Sequence, residues 1–481
     1  MRGALGQGHV APPGDPDILG LTSDSRLVKP GYLFAALSGR SADGRRFLDD
    51  ALKRGAGAVL ADRPVDLPVP VVVDSNPRRA LALMAALYYA PQPATSAAVT
   101  GTNGKTSVAV FLRQIWQSAA LKAASLGTIG LVAPGIDRPG SLTTPDPVEL
   151  HKELQELARM GVDHLALEAS SHGLDQFRLD GVKLTAAGFT NLTRDHLDYH
   201  PDMAAYFAAK ARLFTELLPA DGTAVINIDQ AEGGTLAALC RKRGIKTVSY
   251  GRTERAELRL VKAEPKDAGL GIEIELAGKR HALDLPLLGG FQAMNALCAL
   301  GLALATGIEA KQALGALSRL KGAPGRMELA AIHPSGAKLI VDYAHTPDAL
   351  ETALKALRPH CPGRLVLVFG CGGDRDKGKR PLMGAIAQRL ADLVFVTDDN
   401  PRSEDAGAIR RAVLAACPKA QEIGDRRQAI FAAVRLLRPG DLLLIAGKGH
   451  ERGQIVGSAT LPFEDGEAAR AAVAALAGGR A

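Results

Sequence analysis

The residues with the densest chemical content are Thr100 to Ser107, which read Thr-Gly-Thr-Asn-Gly-Lys-Thr-Ser. Ahead of them, Ala97, Ala98 and Val99 form an apolar run that predicts a buried strand, and Val108 to Trp116 behind them predict a helix. Strand, glycine-bearing turn, Lys-Thr and helix make a phosphate cradle. Gly101 and Gly104 let backbone N–H groups turn onto an anion, Lys105 adds a point charge, and the Thr106 hydroxyl is placed to hold Mg²⁺. Two residues separate the glycines here, where the usual phosphate loop has four. A turn that merely carries a lysine is the competing reading. The flanking strand and helix weigh against it, so ATP or GTP binding is the starting expectation.

Several other polar residues sit oddly on apolar segments. His164 to Leu167 predict a strand that ends in Glu168. A carboxylate at the carboxyl end of a strand beside a phosphate loop is where nucleotide-bound Mg²⁺ finds a protein ligand; a strand-end acid in a salt bridge is the plain alternative. Asp195, His196, Asp198 and His200 gather two histidines and two aspartates in six positions, which suggests a metal cluster. On chemistry alone zinc comes first, because Mg²⁺ takes oxygens before imidazole. Tyr206, Lys210 and Phe214 fall four apart on one face of the helix after Pro201. An amine on a mostly apolar face must be neutralised, paired or altered, unless its stem carries it out to water.

The elements that must position these groups follow from length and pattern. At 481 residues the chain exceeds one compact core and suggests about three domains. Short strands (Leu33 to Ala36, Ala58 to Leu60, Val71 to Val73) alternate with helices (Phe47 to Arg54, Arg78 to Tyr89) in a small N-terminal α/β domain closed by Pro91-Gln92-Pro93. In that domain the polar turns Thr22 to Arg26 and Ser41 to Arg45 are either capped turns or contact residues. The central domain carries the phosphate loop, and Gly289 to Asn295 open its long apolar helix. In the C-terminal part, strands Leu339 to Val341, Leu365 to Phe369, Leu393 to Val396 and Asp441 to Ile445 each end in a polar, mostly glycine-bearing loop. Four such loops on one edge predict a doubly wound, Rossmann-like sheet with its ligand there. The expected division is 1–92, 93–326 and 327–481, all α/β. The tail from Glu467 reads as an alanine-rich helix with no function inferred.

Composition narrows the class. Hydrophobic residues make up 47% and charged residues 23%, as in a globular protein, and the formal charge of +7 is spread without a basic tract or aromatic reader motif. Anionic small substrates account for that charge, and no nucleic-acid partner is expected. Five scattered cysteines without metal spacing fit a reducing cytosol. Met1 to Pro16 lack the apolar core of a signal peptide, and no apolar stretch reaches the roughly 18 residues of a membrane span. A cytoplasmic monomer without membrane insertion is the expectation.

Taken together, the motifs resemble one family, the ATP-dependent Mur ligases of peptidoglycan synthesis. Thr-Gly-Thr-Asn-Gly-Lys-Thr, Leu-Glu-Ala-Ser-Ser-His (167–172), Asn-Leu-Thr-Arg-Asp-His-Leu-Asp-Tyr-His (191–200) and Tyr-Phe-Ala-Ala-Lys (206–210) occur in that family's order and approximate spacing. The resemblance implies a UDP-substrate-binding first domain, a central ATP-binding domain and a C-terminal amino-acid-binding domain. It implies a catalytic set of Lys105, Glu168, His196 and Lys210. In that set Thr106, Glu168 and His196 hold Mg²⁺, and Lys210 holds a second ion after CO₂ has turned it into a carbamate. ATP as co-substrate would meet Gly101, Thr102, Asn103, Gly104, Lys105 and Thr106, with Asn295, Arg326, Asp342 and His345. Gln292 stands where the family's nearest wording has Asn, which leaves Asn295 in register.

The resemblance is closest to the branch that adds meso-diaminopimelate to UDP-MurNAc-L-Ala-D-Glu, and it covers nearly the whole chain. It implies that Ser23, Ser25, Arg40, Ser41, Ala42, Thr143, Thr144, Ser170, Gln176 and Arg178 contact the UDP-muramoyl dipeptide. It further implies that Arg375, Asp399, Asn400, Pro401, Arg402, Gly447 and Glu451 contact diaminopimelate. A lysine-adding ligase is the nearest alternative, and Arg402 argues against it. A folylpolyglutamate synthetase relative should lack the Thr143-Thr144-Pro145 and Asp399 to Arg402 loops. A non-catalytic nucleotide-binding scaffold would not require Glu168, His196 and Lys210 together.

Overall fold

The computed structural model describes residues 16–39, 43–140, 142–197, 199–267 and 269–478. They pack as two compact units, one running through Leu258 with Cys298–Ala313, the other comprising Arg259–Leu297 and the chain from Leu314. The first unit opens with a four-stranded parallel sheet, Gly20–Thr22, Tyr32–Ala35, Ala58–Ala61 and Val71–Val73, in chain order. Its period-2 pattern splits the core. Leu33, Ala35, Ala58 and Leu60 pack under helix Pro77–Tyr88, while Phe34, Val59 and Ala61 face Leu48 and Ala51 of helix Leu48–Lys53.

The larger sheet of the same unit runs Lys246–Gly251, Thr223–Asn227, Ala186–Phe189, Thr95–Thr100, His164–Glu168 and Ala123–Gly127, all parallel. Gly130–Ala133 and Ile136–Arg138 add an antiparallel edge. The inner strands are buried along most of their length, which is why they read as unbroken apolar runs. Chain order steps to one side of Thr95–Thr100 and then to the other, so this strand ends at a topological switch point, where an α/β sheet opens a crevice for ligand. Helix Lys105–Ser118 follows it directly.

In the second unit, Leu258–Lys266, Gly269–Leu276 and Lys279–Leu285 are neighbours in an up-and-down run whose last two strands pair antiparallel. A six-stranded sheet then takes the order Glu328–Ile332, Lys338–Asp342, Leu442–Ala446, Leu365–Phe369, Leu393–Val396 and Gln421–Glu422, parallel except for its first strand. Leu365, Leu367 and Phe369 face helices Pro347–Leu357, Lys379–Leu390 and Ala406–Leu414; Val366 and Val368 face Arg426–Arg435 and Asp465–Gly478. The alanine-rich tail is therefore a core element: Ala468, Ala469 and Ala472 close one face of the sheet. No helix among the described residues is long and apolar enough to cross a membrane.

Candidate active site

The candidate phosphate loop is shaped by backbone that only glycine adopts readily. Gly101 has φ +146°, and a Cβ there would collide with the Thr190 hydroxyl; Gly104 has φ +90° and caps the helix at Lys105. Neighbouring backbone pins the loop. Thr102 N donates to Asn191 O (2.9 Å), Asn103 N to Asn191 Oδ1 (2.9 Å), and Thr190 Oγ1 to Asn103 O (2.6 Å). Lys105 Nζ donates to the carbonyls of Gly101 (2.9 Å) and Thr102 (2.8 Å), holding its charge over the loop.

Glu168 lies beside that helix start and is buried. Its carboxylate accepts from Thr106 Oγ1 (2.9 Å), Thr128 N (2.7 Å) and Thr128 Oγ1 (3.1 Å), and Thr128 Oγ1 reaches Thr143 Oγ1 at 3.0 Å. Thr144 Oγ1 donates to Glu168 O (2.8 Å) and lies 3.1 Å from Ser170 Oγ; Arg178 donates to Thr144 O and Gln176 Oε1, both at 2.7 Å. Five residues taken from three separate motifs, Thr143, Thr144, Ser170, Gln176 and Arg178, thus converge on one wall around Glu168.

Lys210 does not snorkel. Its side chain is 1% exposed, and Nζ donates to Gly101 O at 2.9 Å and lies 4.4 Å from the centre of the Tyr206 ring. Burial, reinforced by the Lys105 charge, pushes this amine well below the usual lysine range. A π-helical turn, Leu213–Leu217, directly follows its helix, Met203–Arg212, which Asp202 caps. In the histidine-rich stretch, as elsewhere among the described residues, no three His, Cys, Asp or Glu side chains gather closely enough to hold a metal. Its rings stack instead: His172 packs on Tyr199 at 3.9 Å and on His196 at 4.9 Å, and His200 on Tyr206 at 5.2 Å. Asp198 lies outside the described residues, as do Arg40, Ser41 and Ala42. Ser23 is exposed and Ser25 buried, flanking Asp24, which caps a short 3₁₀ turn and holds Arg26.

The second unit gathers its polar loops at one sheet edge. Asn400 Nδ2 donates to Glu451 Oε2 (2.8 Å), Arg402 Nη1 to Gly373 O (2.9 Å), and Arg402 N to Ile455 O (3.1 Å). Arg402 is held at φ +52°, and a Cβ on Gly372 would touch Arg402 Nη1 and Arg375 Cγ. A Cβ on Gly447 would press on Asp399 Oδ2. Nearby, Asp342 accepts from Met327 N (2.8 Å) and Ala344 N (2.9 Å), the Arg326 guanidinium sits 4.5 Å from the Tyr343 ring centre, and His345 Nδ1 lies 2.8 Å from Tyr343 O. Asn295 is buried and donates to Gln292 Oε1 at 2.9 Å.

Three family models match consecutive stretches: Mur ligase family, catalytic domain, at 17–92; Mur ligase middle domain at 99–303; and Mur ligase, glutamate ligase domain, at 325–449. A UDP-N-acetylmuramoyl-L-alanyl-D-glutamate–2,6-diaminopimelate ligase of Mesorhizobium japonicum is 55% identical over 462 residues, 95% of each chain. The chain belongs to the Mur ligase family. The ligase of the same name from Caulobacter vibrioides is 54% identical over 94% of each chain. A solved structure of a ligase of that name superposes with a TM-score of 0.72 at 34% identity, covering 96% of this chain and 95% of the other. Folylpolyglutamate synthase of Mycobacterium tuberculosis superposes at 0.64 over 78% of this chain and 92% of its own, and at 20% identity shows a shared fold alone.

The Mur ligase fold also places residues that the sequence reading passed over. Thr128 links Glu168 to Thr143, and its only trace in sequence is a hydroxyl just past the buried strand Ala123–Gly127. Arg212 grips buried Asp180 through Nη2 (2.7 and 2.8 Å), tying the Lys210 helix to the segment with Gln176 and Arg178. Lys448 is fully buried between two glycines and bonds Asn400 and Glu451.

Proposed function

We propose that this chain is an ATP-dependent amide ligase that adds meso-2,6-diaminopimelate to the D-Glu side-chain carboxylate of UDP-MurNAc-L-Ala-D-Glu, a step of peptidoglycan precursor synthesis. The observation that carries this is identity of 55% across 95% of a ligase of that name. The Thr143–Thr144 wall and the Asp399 to Arg402 loop agree with it.

A carboxylate is a poor acyl donor because its leaving group would be oxide. ATP therefore transfers its γ-phosphoryl group to a carboxylate oxygen. The diaminopimelate amine attacks the resulting acyl phosphate, phosphate leaves, and the amine loses a proton. In this reading Lys105 and the turned N–H groups of the loop hold the phosphates, and Thr143, Thr144, Ser170, Gln176 and Arg178 orient the dipeptide. Arg402 and Glu451, with Arg375, Asp399 and Asn400, hold the far end of diaminopimelate. Asn295, Arg326, Asp342 and His345 serve the nucleotide.

Magnesium suits the oxygen donors of Thr106 and Glu168, 2.9 Å apart, with His196 as a further ligand, and when bound offsets phosphate charge. Lys210 fits carbamylation, because a buried neutral amine is the form that adds to CO₂ with loss of a proton and so becomes an anion. The test is phosphate release by the full chain with ATP, Mg²⁺, the UDP-muramoyl dipeptide and diaminopimelate. Release that needs all components, with a product heavier by one diaminopimelate less water, supports the assignment; no release with all of them present refutes it.

A further inference from the structure

We infer that Lys448 is a positioning residue that aims Glu451 at the ammonium group of the incoming amino acid, an inference resting on the ligase reading above. Lys448 stands in the loop after strand Leu442–Ala446, and its side chain is 0% exposed, although it carries the most strongly hydrated of the basic groups. Its Nζ donates to Asn400 Oδ1 at 3.0 Å and to Glu451 Oε2 at 2.9 Å, and Asn400 Nδ2 donates to the same Oε2 at 2.8 Å. The three side chains close a triangle.

Ile455 N also donates to Asn400 Oδ1 (2.9 Å), so that oxygen faces two groups that can only donate. Turning the Asn400 amide over would set its NH₂ against both, so its orientation is fixed. Asn400 Nδ2 and Lys448 then share Oε2 of Glu451 and lock its carboxylate. Glu451 is the member of the triangle that reaches solvent, 31% exposed, and Oε1 is the oxygen the triangle does not use. Oε1 is thereby left to take a cationic group of the acceptor, and both diaminopimelate and lysine carry one at the far end. Lys448 therefore governs affinity for the ammonium common to both acceptors, whereas Arg402 discriminates between them.

The test compares KM for diaminopimelate, lysine, ATP and the UDP-muramoyl dipeptide in wild type, Lys448→Met, Glu451→Gln and the double variant. Lys448→Met is expected to raise KM for diaminopimelate about 10- to 100-fold. The diaminopimelate-to-lysine ratio and the KM for ATP stay within about 2-fold, and the double variant is no worse than Glu451→Gln alone. Additive penalties, an unchanged KM for diaminopimelate, or an equal rise in KM for ATP overturn the inference. Should Lys448→Met fail to fold, Lys448→Arg keeps the charge but displaces its donors: a raised KM for diaminopimelate at near-normal kcat supports positioning, and an unchanged KM refutes it. Wild-type enzyme without acceptor-dependent turnover sinks the ligase reading itself, whereas normal wild-type turnover with an indifferent Lys448 sinks only this inference.

Discussion

Lys210 shows what burial does to a single residue. Its amine is enclosed by the Tyr206 ring and one backbone carbonyl, with the Lys105 charge in the same site, so the neutral form is favoured. Lys210→Ala is expected to be inactive and to regain part of its rate when acetate or a similar short acid fills the vacated space; a variant that keeps most of its activity and ignores acid would make Lys210 structural. Lys105→Ala is expected to lower kcat by on the order of 10² to 10³ with an unchanged melting temperature, because in the proposed reading the side chain holds phosphate charge and supports no core. Arg402→Ala tests specificity. A guanidinium takes the second carboxylate of diaminopimelate with paired hydrogen bonds, and a site built for such a group can reject an analogue lacking it by about 10⁴. The variant should raise KM for diaminopimelate, leave ATP unaffected and narrow discrimination against lysine. At this scale the phosphate loop, Glu168 and Lys210 were legible because each sits in a short contiguous motif. Thr128 and Lys448 were not, because their meaning lies in bonds to segments 40 and 48 residues away.

At the scale of elements, legibility followed burial. Strands enclosed on both faces, such as Leu365–Phe369 and Thr95–Thr100, read as apolar runs, whereas the edge pieces Gln421–Glu422 and Ile136–Arg138 are short and polar, and Gly20–Thr22, although buried, has only three residues with which to announce itself. The tail helix was visible but not its purpose, since alanine alone does not say what it packs on. Its Asp465 and Arg426 form an ion pair at 2.7 Å with both side chains 0% exposed, and Arg426 also donates to Ala446 O. Removing one partner leaves a buried charge alone, so Asp465→Ala should cost roughly 3–5 kcal/mol, read as a fall in denaturant midpoint. Helix Pro147–Arg159 carries a pH-sensitive group. Burial, with Glu149 nearby, pushes the Glu153 carboxyl up to about 7 from an ordinary 4.5. Between these values the folded chain holds a proton that the unfolded chain releases, so this contribution is intact below about 4.5 and lost as pH rises through 7. Glu153→Gln should therefore raise the melting temperature at pH 8 and change it little at pH 4; equal shifts at both would point to packing instead.

For the whole molecule, length alone suggested three domains and the strand-ending loops suggested a doubly wound C-terminal sheet; the three consecutive family matches and the parallel sheets agree. The polar turns beside the N-terminal four-stranded sheet left their purpose open, because such turns are also good caps, as Asp24 shows. The net charge of +7, spread over the chain, suits a protein whose two nucleotide substrates, ATP and the UDP-muramoyl dipeptide, are anions. What joins the sheets into one function is the choice of acceptor, and a single competition measures it. Wild-type enzyme is given ATP, Mg²⁺ and the UDP-muramoyl dipeptide with equal concentrations of diaminopimelate and lysine, and the two products are resolved by mass. Product carrying diaminopimelate should dominate by several orders of magnitude; a mixture in comparable amounts, or a preference for lysine, would contradict the assignment.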